Sequence, residues 1–187
     1  MEIIGIIGNE GVGKNYIAEK VLPEILPIKN TVVLAFADHF KVDAITKYGA
    51  DINKVYGKKD YDTRKMLQET GTENGRNKYG KDIWIRTIET WINVLYSRGT
   101  QRFIICDVRF QNEAEFIKKM NGTLIKVEAH ERHIATLNQE SNQDDKQINS
   151  IQQHESEKGI NTIKNYDILV FNNPTDNVTE QLKKHLL

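Results

Sequence analysis

Apolar residues fall into short continuous runs, and between the runs they recur at helical spacing. Ile3-Ile4-Gly5-Ile6-Ile7 predicts a buried first strand. A Gly-rich turn follows, then a helix with Ile17, Ala18, Val21 and Leu22 on one face, which Pro23 and Pro27 are expected to stop. Thr31 to Ala37 predicts a second strand. Residues 38 to 100 read as helical, with Met66 and Leu67 in one segment and Trp84, Ile88, Trp91, Ile92 and Leu95 in another. Phe103 to Val108 predicts a third strand. Asn112 to Met120 reads as a helix ended by Asn121-Gly122, a pair suited to a left-handed cap. Thr123 to Val127 and Asp167 to Phe171 predict strands four and five, and Val178, Leu182 and Leu186 mark a last helix.

Continuous apolar strands alternating with helices predict an α/β fold: a five-stranded parallel sheet with helices on both faces, three layers in all. Two polar stretches, 38 to 82 and 130 to 165, interrupt the rhythm. Apolar strands resume after each, so both read as insertions into one domain spanning 1 to 187. They are expected at the carboxyl edge of the sheet, where such folds bind ligands.

Composition narrows the partners. Lys plus Arg and Asp plus Glu each number 26, which argues against a surface that grips a nucleic-acid backbone, since that needs a basic excess. A local cation cluster around a phosphorylated small molecule remains compatible. One cysteine, Cys106, excludes an intramolecular disulfide and a multi-cysteine zinc site. Inside its apolar strand it reads as a small buried hydrophobe. No stretch approaches the ~20 apolar residues that cross a bilayer, and the short N-terminal run lacks a basic flank. The expectation is a soluble, intracellular protein.

The most specific local signal is Gly8-Asn9-Glu10-Gly11-Val12-Gly13-Lys14-Asn15, directly after strand one and opening a helix. It fits the phosphate loop G-x-x-x-x-G-K, with Asn15 where Ser or Thr usually stands. Glycines let successive N–H groups turn toward one point, the helix adds its positive end, and Lys14 supplies a charge for β- and γ-phosphates. The alternative is a plain tight turn. Asn15 offers an amide oxygen to Mg²⁺, directly or through water. Asp107, at the end of strand three, either serves a metal or nucleophile or caps the next helix. Lys41, Arg64, Arg76, Arg109 and Arg132 are candidate anchors for a second phosphate, because a guanidinium fork matches phosphate oxygens two at a time. Each also has an ordinary surface-charge reading, which is where Arg86, Arg98 and Arg102 are left.

In this order the motifs resemble the viral and bacteriophage-type deoxynucleoside monophosphate kinases, within the nucleoside monophosphate kinase-like P-loop fold. The likeness rests on Gly13-Lys14-Asn15 and on Phe36-Ala37-Asp38-His39-Phe40-Lys41. It continues in the block from Arg64 through Leu67-Gln68 and Gly71-Thr72 to Arg76 and Trp84, then Asp107-Val108-Arg109-Phe110-Gln111-Asn112-Glu113 and His154-Glu155-Ser156-Glu157. The resemblance implies a three-layer P-loop NTPase fold with acceptor-binding (38 to 82) and lid-like (130 to 165) insertions. It implies transfer of the ATP γ-phosphoryl group to a deoxynucleoside monophosphate, with Mg²⁺.

By position, Gly8, Asn9, Glu10, Gly11, Val12, Gly13, Lys14, Asn15 and Tyr16 would hold the donor. Asp38, Lys41, Arg64, Gln68, Arg76, Trp84 and Arg109 would line the acceptor site. Asp107 and Asn15 would serve the metal, and Lys14, Asp107, Arg109 and Arg132 the transfer itself. The family often places Arg soon after strand four, where this chain has Ala129-His130, so Arg132 is the nearest substitute. His154 and Glu157 are either catalytic or a local hydrogen-bonded pair. Homodimers occur in the family, and a viral member would work in the host cytoplasm. An acceptor phosphate carries no proton that must be removed, which fits the lack of an obvious His at the phosphate loop or Asp107. Two competitors remain: a P-loop kinase of another metabolite, of dephospho-coenzyme A or phosphomevalonate type, and a nucleotide-binding protein that has lost catalysis at Asn15.

Overall fold

A computed structural model describes residues 1–57, 59–133 and 155–187. Five strands form one sheet: β1 Glu2–Ile7, β2 Thr31–Leu34, β3 Arg102–Val108, β4 Thr123–Glu128 and β5 Ile168–Phe171. Their order is β2-β3-β1-β4-β5 and every pairing is parallel. Successive strands step to both sides of β1, so the chain reverses direction across the sheet there, where open α/β sheets form a crevice at their carboxyl ends. Register sharpens this: Ile7 lies beside Val108 on one side and Lys126 on the other. Gly8 and Arg109 therefore leave the sheet at the same edge.

Period-two alternation sends the strand side chains to two cores. Ile4 and Ile6 of β1 and Ile104 and Cys106 of β3 face one layer. That layer contains α1 (residues 14–25), with Val21 and Leu22, and the C-terminal helix, with Val178 and Leu182. Ile3 and Ile7, with Phe103 and Ile105, face the other. The helices covering that face are Ile83–Ser97, with Ile88 and Ile92, and Gln111–Lys119, with Phe116 and Ile117. Between them in the chain come α2 Ala37–Tyr48, α3 Ile52–Tyr56 and α4, which covers 61–79. The helices over the second core are thus α5 and α6, followed by α7 Glu155–Ile160 and α8 Val178–Leu186. A small satellite core of Ala44, Val55 and Leu67 packs beneath α2–α4. None of the helices among the described residues is long and apolar enough to cross a membrane.

Three expectations need correction. Pro23 does not stop α1. The wide turn Ile17–Val21 lets the Leu22 N–H reach back to the Ile17 carbonyl, and Pro23 then sits in the first turn of Leu22–Ile25, where it forfeits no hydrogen bond. The helix ends at Leu26, which is extended and precedes Pro27. Strand two stops at Leu34, because carboxylates take the next N–H groups: Asp38 accepts from Ala35, and Asp107 from Phe36 and Ala37. Arg102 is no surface charge; at 3% exposure its Nε lies 3.1 Å from Glu2 and its Nη1 donates to the Pro27 carbonyl at 2.9 Å. Asn121 does take the left-handed conformation expected of it, with φ 55°.

Candidate active site

The phosphate loop joins β1 to α1 and bends through Gly11 and Gly13, whose φ values of 80° and 90° belong to the left-handed region. A Cβ at Gly13 would also lie 2.4 Å from Asn172 Nδ2. That amide donates to the Val12 carbonyl at 2.9 Å, so a buried side chain at the end of β5 braces the loop from behind. Lys14 Nζ folds back onto the loop, 2.7 Å from both the Gly8 and Asn9 carbonyls. His133 Nδ1 donates to the Glu10 carbonyl at 2.7 Å. A histidine does therefore reach the phosphate loop, contrary to the sequence expectation, through its backbone.

Lys14 opens onto a cleft of about 560 Å³, whose lining includes Asn15, Asp38, Lys41, Arg64, Arg76 and Arg109. Gly11, Gly13, Glu10, Tyr16, Gln68, Trp84 and Asp107 line it too. Gly8 and Val12 are buried behind the loop. Arg132 is exposed on the short helical stretch 130–133 and is not part of this lining. His154 lies outside the described residues, as do the side chain of Glu157 and most of the 130 to 165 insertion.

Asp107 stands on the cleft floor, accepting from Phe36 N at 2.7 Å and Ala37 N at 2.9 Å. Burial pushes its carboxyl above the ordinary range, against the pull of these N–H groups, Arg109 and Lys41. A carboxylate has about four lone-pair sites, so two remain for a ligand. Among the described residues no cluster of three or more His, Cys, Asp or Glu is arranged to hold a metal. An Mg²⁺ ion fits only with few protein ligands, the Asp107 carboxylate and Asn15 amide, completed by phosphate oxygens and water, the usual pattern for that ion. Cys106 lines the cleft beneath; burial pushes its thiol up to about 12, which makes it inert as a nucleophile.

The cleft wall facing the phosphate loop comes from α2 and α4. The middle of α4, Glu69–Arg76, is wound as a π-helix, a departure common at functional sites. Trp84 Nε1 donates to the Gly71 carbonyl at 2.8 Å, and its ring packs against Phe40 and His39. Trp84 thus pins the π stretch at the cleft. Arg76, at the end of that stretch, is 6% exposed, lies 3.6 Å above the Phe110 ring and 3.6 Å from Glu113. Glu113 in turn accepts from the backbone N–H of Arg109 at 2.8 Å and of Phe110 at 3.1 Å. Burial pushes the Glu113 carboxyl up to about 7, although the N–H donors and Arg76 work against it.

Arg64 pairs with Glu10 of the phosphate loop. Lys41 pairs with Asp38 at 3.4 Å and lies 4.7 Å from the centre of the Tyr56 ring. Lys59, which no motif marked, also lines the cleft; burial and nearby Lys41, Arg64 and Arg109 lower its pKa, with Glu10 opposing.

Comparison with known proteins decides what this arrangement belongs to. A family model for deoxynucleotide monophosphate kinases matches residues 14–186. The chain belongs to that family. The kinase is thus a phosphotransferase, and its matched region begins at Lys14 and takes in the whole of α2 to α4. A protein of Acanthamoeba polyphaga mimivirus, provisionally named a deoxynucleotide monophosphate kinase, is 29% identical over 194 residues, covering 94% of this chain and 90% of that one. The fold is also that of an unliganded sugar kinase from Janibacter sp. HTCC2649, with a TM-score of 0.50 over 98% of this chain and 91% of the other. At 13% identity that second likeness concerns the fold alone.

Proposed function

We propose that the kinase moves the γ-phosphoryl group of ATP, with Mg²⁺, onto a 2′-deoxynucleoside monophosphate. One observation carries the reading: Lys14 and the acceptor-side cations Arg64, Arg76 and Arg109 line a single cleft. Two phosphorylated molecules can meet there end to end, which in-line transfer requires. An acceptor phosphate oxygen forms the new P–O bond while the bond to the β,γ-bridging oxygen breaks, releasing ADP and the deoxynucleoside diphosphate.

Residues 8–16 would cradle the donor, with Lys14 leaving the Gly8 and Asn9 carbonyls for phosphate oxygens. Asp107 and Asn15 would hold Mg²⁺, which supplies charge neutralisation for the donor phosphates. Asp38, Lys41, Arg64, Gln68, Arg76, Trp84 and Arg109 would shape the acceptor side, with charge on both flanks of the moving group stabilising the transition state. Within one domain, 38–82 would act as the acceptor-binding part and 130–165 as a lid that excludes water. Arg132 reaches the reacting group only if that lid closes.

The deciding experiment offers the purified protein ATP and Mg²⁺ with each of four deoxynucleoside and four ribonucleoside monophosphates, and follows ADP release. Turnover with at least one deoxynucleotide, lost on chelation of Mg²⁺, is expected. Turnover of dephospho-coenzyme A or phosphomevalonate with no deoxynucleotide used overturns the substrate class. Nucleotide binding without any turnover favours an inactive binding protein.

A further inference from the structure

An acid on a phosphate loop is electrostatically out of place, since the loop's N–H groups and Lys14 are arranged for an anion. Glu10 nevertheless stands there, and its carboxylate takes Arg64 Nη1 from the acceptor helix, 54 residues away. The contact is sheltered: the Arg64 side chain is 10% exposed and that of Glu10 is 32% exposed. Arg109 and Lys59 are close as well; burial works to raise the Glu10 carboxyl, but Arg64, Arg109 and Lys59 outweigh it and hold it below its usual range. Three cations thus converge on a carboxylate between the donor loop and the acceptor wall. The His133 contact is to the Glu10 carbonyl, so the side chain can swing without releasing the backbone.

We propose that Glu10 is a positioning residue: it holds Arg64 until substrate phosphates arrive and then surrenders this arginine, so that it couples deoxynucleotide binding to ATP binding. The inference rests on the kinase reading above. A monophosphate must compete with the Glu10 carboxylate for Arg64, and its apparent affinity falls by the fraction of molecules in which Arg64 is engaged. ATP on the loop places several negative charges beside Glu10 and displaces it, freeing Arg64 for the acceptor. By linkage the acceptor tightens ATP binding by the same factor.

The test is calorimetric titration of wild type and Glu10→Gln with the deoxynucleoside monophosphate that wild type turns over, with and without a non-hydrolysable ATP analogue and Mg²⁺. Wild type is expected to bind the monophosphate about 10-fold more tightly once the analogue is present. Glu10→Gln should bind it about 10-fold more tightly from the outset and gain little from the analogue. Glu10→Ala is a second variant with the same expectation. In an Arg64→Ala background, Glu10→Gln should have almost no further effect, since the pair is then already broken.

Glu19→Gln, which removes a carboxylate from the same cleft lining, separates the pairing from a general field effect. Wild-type affinity and coupling in Glu10→Gln, an equal gain from Glu19→Gln, or an undiminished gain in the Arg64→Ala background each overturn the proposal. A wild-type protein that binds none of the monophosphates overturns the kinase reading, and this inference with it.

Discussion

The loop wall of the cleft, residues 8–16 at the end of β1, takes its shape from the backbone: glycines at positive φ, a helix start, and Asn172 holding the Val12 carbonyl. The facing wall, built on α2 and α4, takes its shape from side chains: Arg76 against Glu113 and Phe110, Trp84 against Gly71 and Phe40, Arg64 against Glu10. A backbone cradle tolerates changes in what surrounds it, provided the turn survives. A wall of paired side chains fails one partner at a time, and each failure strands the other partner in a buried place.

That contrast can be broken most forcefully at Arg76. Arg76→Ala leaves the Glu113 carboxyl buried without its cation, and should cost about 3–5 kcal/mol in urea unfolding at pH 8. The loss should shrink at pH 6, where Glu113 takes up a proton; equal losses at both pH values would uncouple the two residues. On the donor side, Lys14→Ala should lower kcat by about 10²-fold or more, with unfolding midpoints close to wild type. Wild-type turnover in this variant would remove the donor assignment.

Gly75→Ala probes the π stretch, because its Cβ would sit 2.3 Å from Trp84 Cζ2. A destabilisation of about 1–3 kcal/mol is expected, with the acceptor KM raised and the ATP KM little changed. A matching rise in the ATP KM would mean that the π stretch also shapes the phosphate loop.

The last effect concerns pH. The native Glu113 carboxyl lies near 7, above its ordinary 4.5, so the folded protein binds that proton more tightly than the unfolded chain. Its contribution is complete below about 4.5 and is lost as pH rises through about 7. Thermal unfolding from pH 5 to 8 should therefore fall less steeply in Glu113→Gln than in wild type; parallel slopes would refute the assignment.

The same contrast explains what was legible in the chain. Strands β1 and β3 to β5, the loop from Gly8 to Asn15 and Asp107 at its strand end are contiguous patterns, and backbone rules read contiguous patterns well. Pairings between distant residues have no spacing to read. Asn172 meets Val12 across 160 positions and His133 meets Glu10 across 123. A weak signal existed for three of them: Asn172 is the first polar residue after an apolar strand, Glu10 is an acid within a phosphate loop, and Arg102 heads an apolar run. The sequence pattern carries strand two three residues too far because Ala35, Phe36 and Ala37 prolong the apolar run past Leu34, while the groups that end it are the carboxylates of Asp38 and Asp107.

The winding of α4 has an angular consequence. Twelve residues of regular α-helix, at 3.6 per turn, would turn Arg76 roughly 120° away from Arg64 around the axis. Eight of those steps taken at roughly 4.4 residues per turn, the wider screw of i→i+5 bonding, bring the two guanidinium stems to within roughly 30° of one bearing. Both arginines consequently look into the same hollow from a single rod. A sequence change that restored the tighter screw would swing Arg76 out of it while leaving every residue of the segment in place.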